Sequence, residues 1–130
     1  MEKKKVFLAE YIHPEARALL EKYVEVVDSF DRLDEIEAAI NRNQVKIRKE
    51  FIDKATQLRI IGVHGTGLDG VDVEYARERG IDVFSTPGVN AESVAELNVA
   101  LVLDLSRNIT RIDRELQRGE DMLTAKSRYT

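Results

Sequence analysis

The chain has 130 residues, of which 43% are hydrophobic and 34% are charged, with a net charge of −4 and no cysteine. This length and composition predict one globular domain with its own core. The acidic balance, the lack of a basic block and the lack of a long apolar run exclude nucleic-acid and membrane partners, and no cluster of metal ligands occurs. Without a secretory leader, we expect a cytoplasmic protein.

The first third of the chain predicts alternating strands and helices. Strands are expected at Lys5–Ala9 and Val24–Val27. His13 and Pro14 begin the helix between them, because proline suits a first turn, and His13 is interpreted as a cap or an ordinary loop residue rather than a catalytic residue.

A second amphipathic helix is predicted over Leu33–Ile40, capped by Asp31 or Asp34. No run of four apolar residues follows this helix, although the rhythm of the chain requires a buried strand there. The sequence therefore predicts a sheet that lacks one central strand, unless Val45–Ile47 replaces it.

The second half of the chain is expected to form a helix over 48–56, a strand ending at Val63, a helix over 72–79 capped by Asp72, and a strand over 81–85. One helix of about 28 residues should follow over 91–118 and end at Gly119. Its first half is apolar nearly all round, so we expect burial on several sides. The tail shows no element of its own, and the predicted segments are 1–88, 89–119 and 120–130.

A glycine cluster follows the strand that ends at Val63, with the spacing Gly65-x-Gly67-x-x-Gly70 of a dinucleotide fingerprint. Such glycines allow backbone N–H groups to hold an anion at the end of a strand. A dinucleotide site also needs an acidic residue at the end of the next strand, where this chain has Ser85 and Thr86. The spacing thus favours a small anionic ligand, and the alternatives are a turn without a ligand or a minimal nucleotide binder through Gly65–Gly70.

Four segments together resemble one known family: GTGLDGVD (65–72), RGIDVFSTPG (79–88), NAESVAEL (90–97) and LSRNI (105–109). They are similar to the N-terminal part of NAD-dependent D-2-hydroxyacid dehydrogenases, particularly the D-3-phosphoglycerate dehydrogenase branch. The resemblance implies the substrate ("catalytic") domain of that family, a flavodoxin-like α/β unit with a parallel sheet and helices on both faces. Gly70 stands where the family commonly has asparagine.

The resemblance also implies a site for a small 2-hydroxy or 2-oxo acid. The backbone N–H groups of Thr66 and Gly67 would bind the acid's carboxylate, Arg42 and Asn43 would help to hold the acid or its phosphate, and Asn90 would line the cleft. His64 does not match the family's catalytic histidine.

In the family, NAD binding and the catalytic arginine, glutamate and histidine belong to segments that would lie beyond residue 130. We therefore expect no catalytic, cofactor-binding or metal-binding residue in this chain, and no hydride transfer by it alone. The long helix implies a homodimer through 91–118. The alternative is a non-enzymatic module that only folds and self-associates.

Overall fold

A computed structural model describes residues 3–8 and 10–129, and its centre is a five-stranded parallel sheet. The strands lie in the order β2-β1-β3-β4-β5, which is the order of a flavodoxin-like sheet and confirms the predicted fold. Their bounds are β1 (Lys4–Phe7), β2 (Val24–Val27), β3 (Ala38–Asn41), β4 (Ile60–Val63) and β5 (Asp82–Ser85). Ala9, included in the predicted first strand, lies outside the described residues.

The connections between the strands are α1 (Pro14–Tyr23), a 3₁₀ helix (Phe30–Glu35), α2 (Lys49–Lys54) and α3 (Val73–Glu78). Right-handed crossovers place α1 on one face of the sheet and the other three on the opposite face, because the strand order reverses at β1. The described core cluster agrees: it contains Leu33, Phe51 and Ala76 from those three helices and no residue of α1. Each connection returns the chain to the edge of the sheet where the strands begin. All five strands therefore end at the opposite edge, the carboxyl edge.

The prediction of a missing central strand is wrong, because β3 supplies that strand between β1 and β4. Ala38 pairs with Val6 on one side and with Ile60 on the other. The spacing of Leu33 and Ile36 suggested a helix running on to Ile40, but these two residues belong to the 3₁₀ helix and its end. The strand itself is short, small and ends in a polar residue.

Two further details of this region differ from expectation. Ser29, rather than Asp31 or Asp34, caps the 3₁₀ helix, since its Oγ accepts from the Asp31 N–H at 3.2 Å. Val45–Ile47 does not form a strand and contributes only an isolated bridge from Ile47 to Val71. The α3 cap was predicted correctly: Asp72 accepts from the Tyr75 N–H at 3.1 Å.

The chain divides into two compact units, Met1–Val89 and Asn90–Thr130. The second unit contains α4 (Ala91–Arg107), α5 (Ile109–Gln117) and α6 (Met122–Ser127). The prediction of one helix over 91–118 is wrong, because Asn108 adopts a left-handed conformation with φ 53° and separates α4 from α5. The expectation of an unstructured tail is also wrong, since α6 forms there.

Burial of α4 also departs from expectation. The apolar first half was predicted to be buried on several sides, yet α4 contains no buried residue. Leu97, Val102 and Leu105 are 59%, 62% and 77% exposed.

In the described part of the chain, no helix is both long and apolar enough to cross a bilayer.

Candidate acid-binding site

Two loops meet at the carboxyl edge of the sheet, where β3 and β4 end side by side. We call residues 42–48 the Arg42 loop and residues 65–70 the glycine corner. The strand register continues into them, because the His64 N–H donates to the Asn41 carbonyl at 2.7 Å. Neighbouring parallel strands end at the same edge, so the two loops form one surface.

One end of the glycine corner is fixed to the chain that follows β5. The Gly65 N–H donates to the Thr86 hydroxyl at 3.0 Å, and the Gly65 carbonyl accepts from the Thr86 N–H at 2.9 Å. A trans peptide holds its C=O and the next N–H in opposite directions. The anchored Gly65 carbonyl therefore turns the Thr66 N–H away from Thr86.

Among the described residues, four successive N–H groups of the corner, at residues 66 to 69, have no partner, and the first two belong to the candidate residues Thr66 and Gly67. Among the described residues, no carbonyl or side chain accepts from the N–H of Thr66 or of Gly67, and both residues are exposed. The N–H groups of Leu68 and Asp69 also lack an acceptor among the described residues, and paired donors resume at Gly70, which donates to the Asn43 side chain at 3.1 Å, and at Val71, which donates to the Leu68 carbonyl at 2.9 Å. Adjacent unpaired N–H groups in a turn form a concave site for an anion.

Two buried polar side chains, those of Glu10 and Asn41, form hydrogen bonds to the backbone of the Arg42 loop. The carboxylate of Glu10 accepts from the N–H groups of Arg42 and Val45. The Asn41 side chain accepts from the Asn43 N–H at 2.8 Å and donates to the Val45 carbonyl at 2.6 Å. These bonds satisfy the backbone groups of a tight loop that no ladder could pair.

Asn43 joins the two loops, and its side chain is used in doing so. Its Nδ2 donates to the Gly67 carbonyl at 2.9 Å and its Oδ1 accepts from the Gly70 N–H at 3.1 Å. The residue has φ 68°, a left-handed conformation that asparagine tolerates better than most residues. A direct role for Asn43 as an acid ligand stays a prediction. What the structure shows is that its side chain links the two loops by hydrogen bonds.

Three cationic side chains surround this surface. Arg42 Nη1 donates to the Tyr11 carbonyl at 2.6 Å, and its remaining guanidinium donors have no acceptor among the described residues. Lys46 Nζ donates to the Asn43 carbonyl at 2.8 Å and Arg48 Nη2 to the Asp69 carbonyl at 2.8 Å. These cations favour an anion beside the free N–H groups, and they also face the Asp69 carboxylate, which lies close to Gly67.

Three features of the same region argue against a dinucleotide. A Cβ on Gly70 would lie 2.8 Å from the Asn43 Cα, so this glycine admits a neighbouring loop rather than a pyrophosphate. The N-terminus of α3 already carries the Asp72 carboxylate, which would repel a phosphate at that place. β5 ends at Ser85 without the acidic residue that would hold a ribose.

The remaining candidate residues have different places. Asn90 precedes α4 in the second unit and makes no side-chain cap bond, so its role in the cleft stays a prediction. His13 Nδ1 accepts from the Glu15 N–H at 3.3 Å, which confirms the cap. Among the described residues, no three His, Asp or Glu side chains gather closely enough to hold a metal ion.

Sequence reasoning missed Glu10, Asn41 and Thr86, which organise the two loops. All three are polar residues at or just after the end of a parallel strand, on the edge where ligands bind in such sheets. That position is a usable signal, but it needed β3 to be recognised as a strand.

Comparison with known proteins identifies the family of the chain. Residues 6–129 match the family model described as "D-isomer specific 2-hydroxyacid dehydrogenase, catalytic domain". The chain is 33% identical over 124 residues to D-3-phosphoglycerate dehydrogenase from Methanocaldococcus jannaschii, covering 89% of this chain and 24% of that protein. It is 31% identical over 129 residues to glyoxylate reductase from Thermococcus litoralis, covering 91% and 39%. The chain thus spans well under half the length of these relatives.

A solved structure gives the same result at the level of the fold. The crystal structure of a putative D-isomer specific 2-hydroxyacid dehydrogenase, NAD-binding, from Polaromonas sp. JS6 66 superposes with a TM-score of 0.83 at 27% identity, covering 90% of this chain and 40% of that one. The family model's match, residues 6–129, spans both loops of the site. The chain therefore belongs to the D-isomer specific 2-hydroxyacid dehydrogenases, with the catalytic domain of that family as the part it matches.

Proposed function

We propose that the chain binds the carboxylate of a small 2-hydroxy or 2-oxo acid at the glycine corner, as the substrate-binding part of an NAD-dependent dehydrogenase. The observation that carries this proposal is the pair of unpartnered N–H groups on Thr66 and Gly67. Thr66 N–H is already oriented by the anchored Gly65 carbonyl, so binding an anion there needs no rearrangement of the turn.

The strength of such a site can be bounded. A hydrogen bond to a charged group contributes about 1.5–3 kcal/mol, so two of them correspond to an affinity on the order of millimolar before the Arg42 side chain adds to it. The Arg42 guanidinium can add a bidentate contact, because only its Nη1 is engaged among the described residues.

We do not assign the nicotinamide cofactor to the described residues. NAD-dependent hydride transfer is the chemistry of the family, and one solved relative is described as NAD-binding. The corner's close contact with Asn43 and the carboxylate at the start of α3 argue against a dinucleotide here. We expect the chain by itself to bind acids without oxidising or reducing them.

Calorimetric titration with D-glycerate tests this function, with glycerol as the ligand that lacks a carboxylate. Arg42→Gln should weaken D-glycerate binding about tenfold, the value of one charge-assisted contact. Arg77→Gln is the matched control, since Arg77 lies in the last turn of α3, at the opposite edge of the sheet. Equal affinities for D-glycerate and glycerol, or equal losses in the two variants, would contradict the proposal.

A second proposed property is self-association through α4. Leu97, Leu101 and Leu105 are 59%, 50% and 77% exposed and recur every four residues, so they form one apolar stripe. A stripe of this kind is typical of an interface between helices. Sedimentation should show a dimer that Leu101→Lys dissociates, and a wild-type chain that stays monomeric at high concentration would exclude it.

A further inference from the structure

Glu10 is one of two polar or charged residues buried in the described part of the chain, with 8% of its surface exposed. It follows β1 at the carboxyl edge of the sheet. Burying a carboxylate is costly unless hydrogen bonds compensate it. For Glu10 these hydrogen bonds all come from the Arg42 loop, because one carboxylate oxygen accepts from the Arg42 N–H and the other from the Val45 N–H.

We propose that Glu10 is a positioning residue for acid binding, which holds the Arg42 loop closed. This inference rests on the proposed function. Glu10 does not touch the acid. It fixes the backbone of Arg42 at the start of the loop and that of Val45 in its middle, and so determines where the Arg42 guanidinium can reach.

A separate set of bonds holds the loop against the corner. The Asn43 N–H is held by the Asn41 side chain at 2.8 Å, within the span that Glu10 closes. From there the Asn43 side chain reaches the Gly67 carbonyl at 2.9 Å and the Gly70 N–H at 3.1 Å. Since Asn41 and Asn43 make these bonds without Glu10, opening the loop at Glu10 would displace the Arg42 guanidinium and leave the corner's N–H groups in place.

The chemistry of the position requires two acceptors. Both oxygens of a carboxylate accept, whereas a glutamine has one accepting oxygen and one donating NH₂ group. In Glu10→Gln, the NH₂ group would face an N–H of Arg42 or Val45, and that donor–donor contact would open the loop there. Glu10→Asp keeps both acceptors on a side chain shorter by one methylene, so it should retain part of the constraint.

The test is a double-mutant cycle on the full 130-residue chain, with the D-glycerate dissociation constant as its readout. Glu10→Gln should weaken binding about tenfold, and Glu10→Asp less. In an Arg42→Gln background, Glu10→Gln should have little further effect, because the two residues act through one contact. A residue that merely stabilises the fold would lower affinity equally in both backgrounds. Circular dichroism establishes whether each variant is folded. If Glu10→Gln does not fold, the same cycle is measured with Glu10→Asp.

The outcomes separate this inference from the function on which it rests. Wild-type affinity in the folded Glu10 variant, or a loss of the same size in both backgrounds, would overturn the positioning role and leave acid binding intact. Failure of the wild-type chain to bind D-glycerate would overturn the proposed function and, with it, any role of Glu10 in binding. A tenfold loss that disappears in the Arg42→Gln background would support both.

Discussion

The third glycine of the corner offers a sharp test, because its neighbour is a backbone atom. A Cβ on Gly70 would lie 2.8 Å from the Asn43 Cα, well inside the 3.4 Å at which ordinary van der Waals contact begins. Backbone cannot rotate away as a side chain can, so Gly70→Ala must push the Arg42 loop off the corner. We expect it to lower stability and acid binding together.

The size of the effect follows from two contributions. Overpacking at a site that cannot relax costs about 1–3 kcal/mol. Displacement of Asn43 also removes its bond to the Gly70 N–H, a loss of about 1 kcal/mol. The free energy of unfolding should therefore fall by about 2–4 kcal/mol, which is a large share of the stability of a typical domain.

Gly67→Ala is the matched control within the same turn. Its Cβ would meet only the Asp69 carboxylate, the mobile end of a side chain, at 2.9 Å. Urea unfolding followed by circular dichroism should place this variant within about 1 kcal/mol of wild type. Equal unfolding midpoints for the two alanine variants would refute the packing of the Arg42 loop on the corner.

Three further predictions concern other parts of the chain. Hydrogen bonds from Arg32 and Lys5 lower the pKa of Glu35 to about 2 from its ordinary 4.5. The stability that these bonds contribute is therefore present above pH 4.5 and is lost as the pH falls toward 2. The free energy of unfolding, measured between pH 5 and pH 2, should fall less steeply in Glu35→Gln than in wild type. Asn108→Ala should cost about 1 kcal/mol in thermal unfolding because alanine resists the left-handed conformation, and Asn108→Gly should cost less. Asn41→Leu should destabilise the chain by about 2–4 kcal/mol in urea, since it leaves both partners of a buried amide unpaired; a neutral effect would contradict the hydrogen bonding described.

The sequence predicted the fold well where the local signals agreed with the tertiary structure. β2, β4, the Pro14 helix and the Asp72 cap follow from apolar runs and capping chemistry that act over a few residues. β3 was missed because Ala38–Asn41 is short, small and ends in a polar residue, so its strand character comes from pairing with β1 and β4. A contact between distant segments leaves no local pattern.

The candidate site shows the same division. The glycine spacing and the absence of an acid after β5 were enough to favour an anion over a dinucleotide. Glu10 and Thr86 act through bonds to residues 21 to 35 positions away, and nothing in the local sequence indicates those partners. The Asn41 side chain bonds Asn43 and Val45 nearby, but its role was missed because β3 was not recognised as a strand. The break at Asn108 was also hidden, because asparagine is tolerated within helices as well as at their ends.

The central claim is that the N–H groups of Thr66 and Gly67 bind a small carboxylate. Amide nitrogen–proton NMR spectra recorded during titration with D-glycerate, and separately with ADP-ribose, test it most directly. We predict saturable downfield shifts of the Thr66 and Gly67 amide protons with D-glycerate, and no such shifts with ADP-ribose. Unmoved Thr66 and Gly67 signals at saturating D-glycerate, or the same shifts with ADP-ribose, would contradict it.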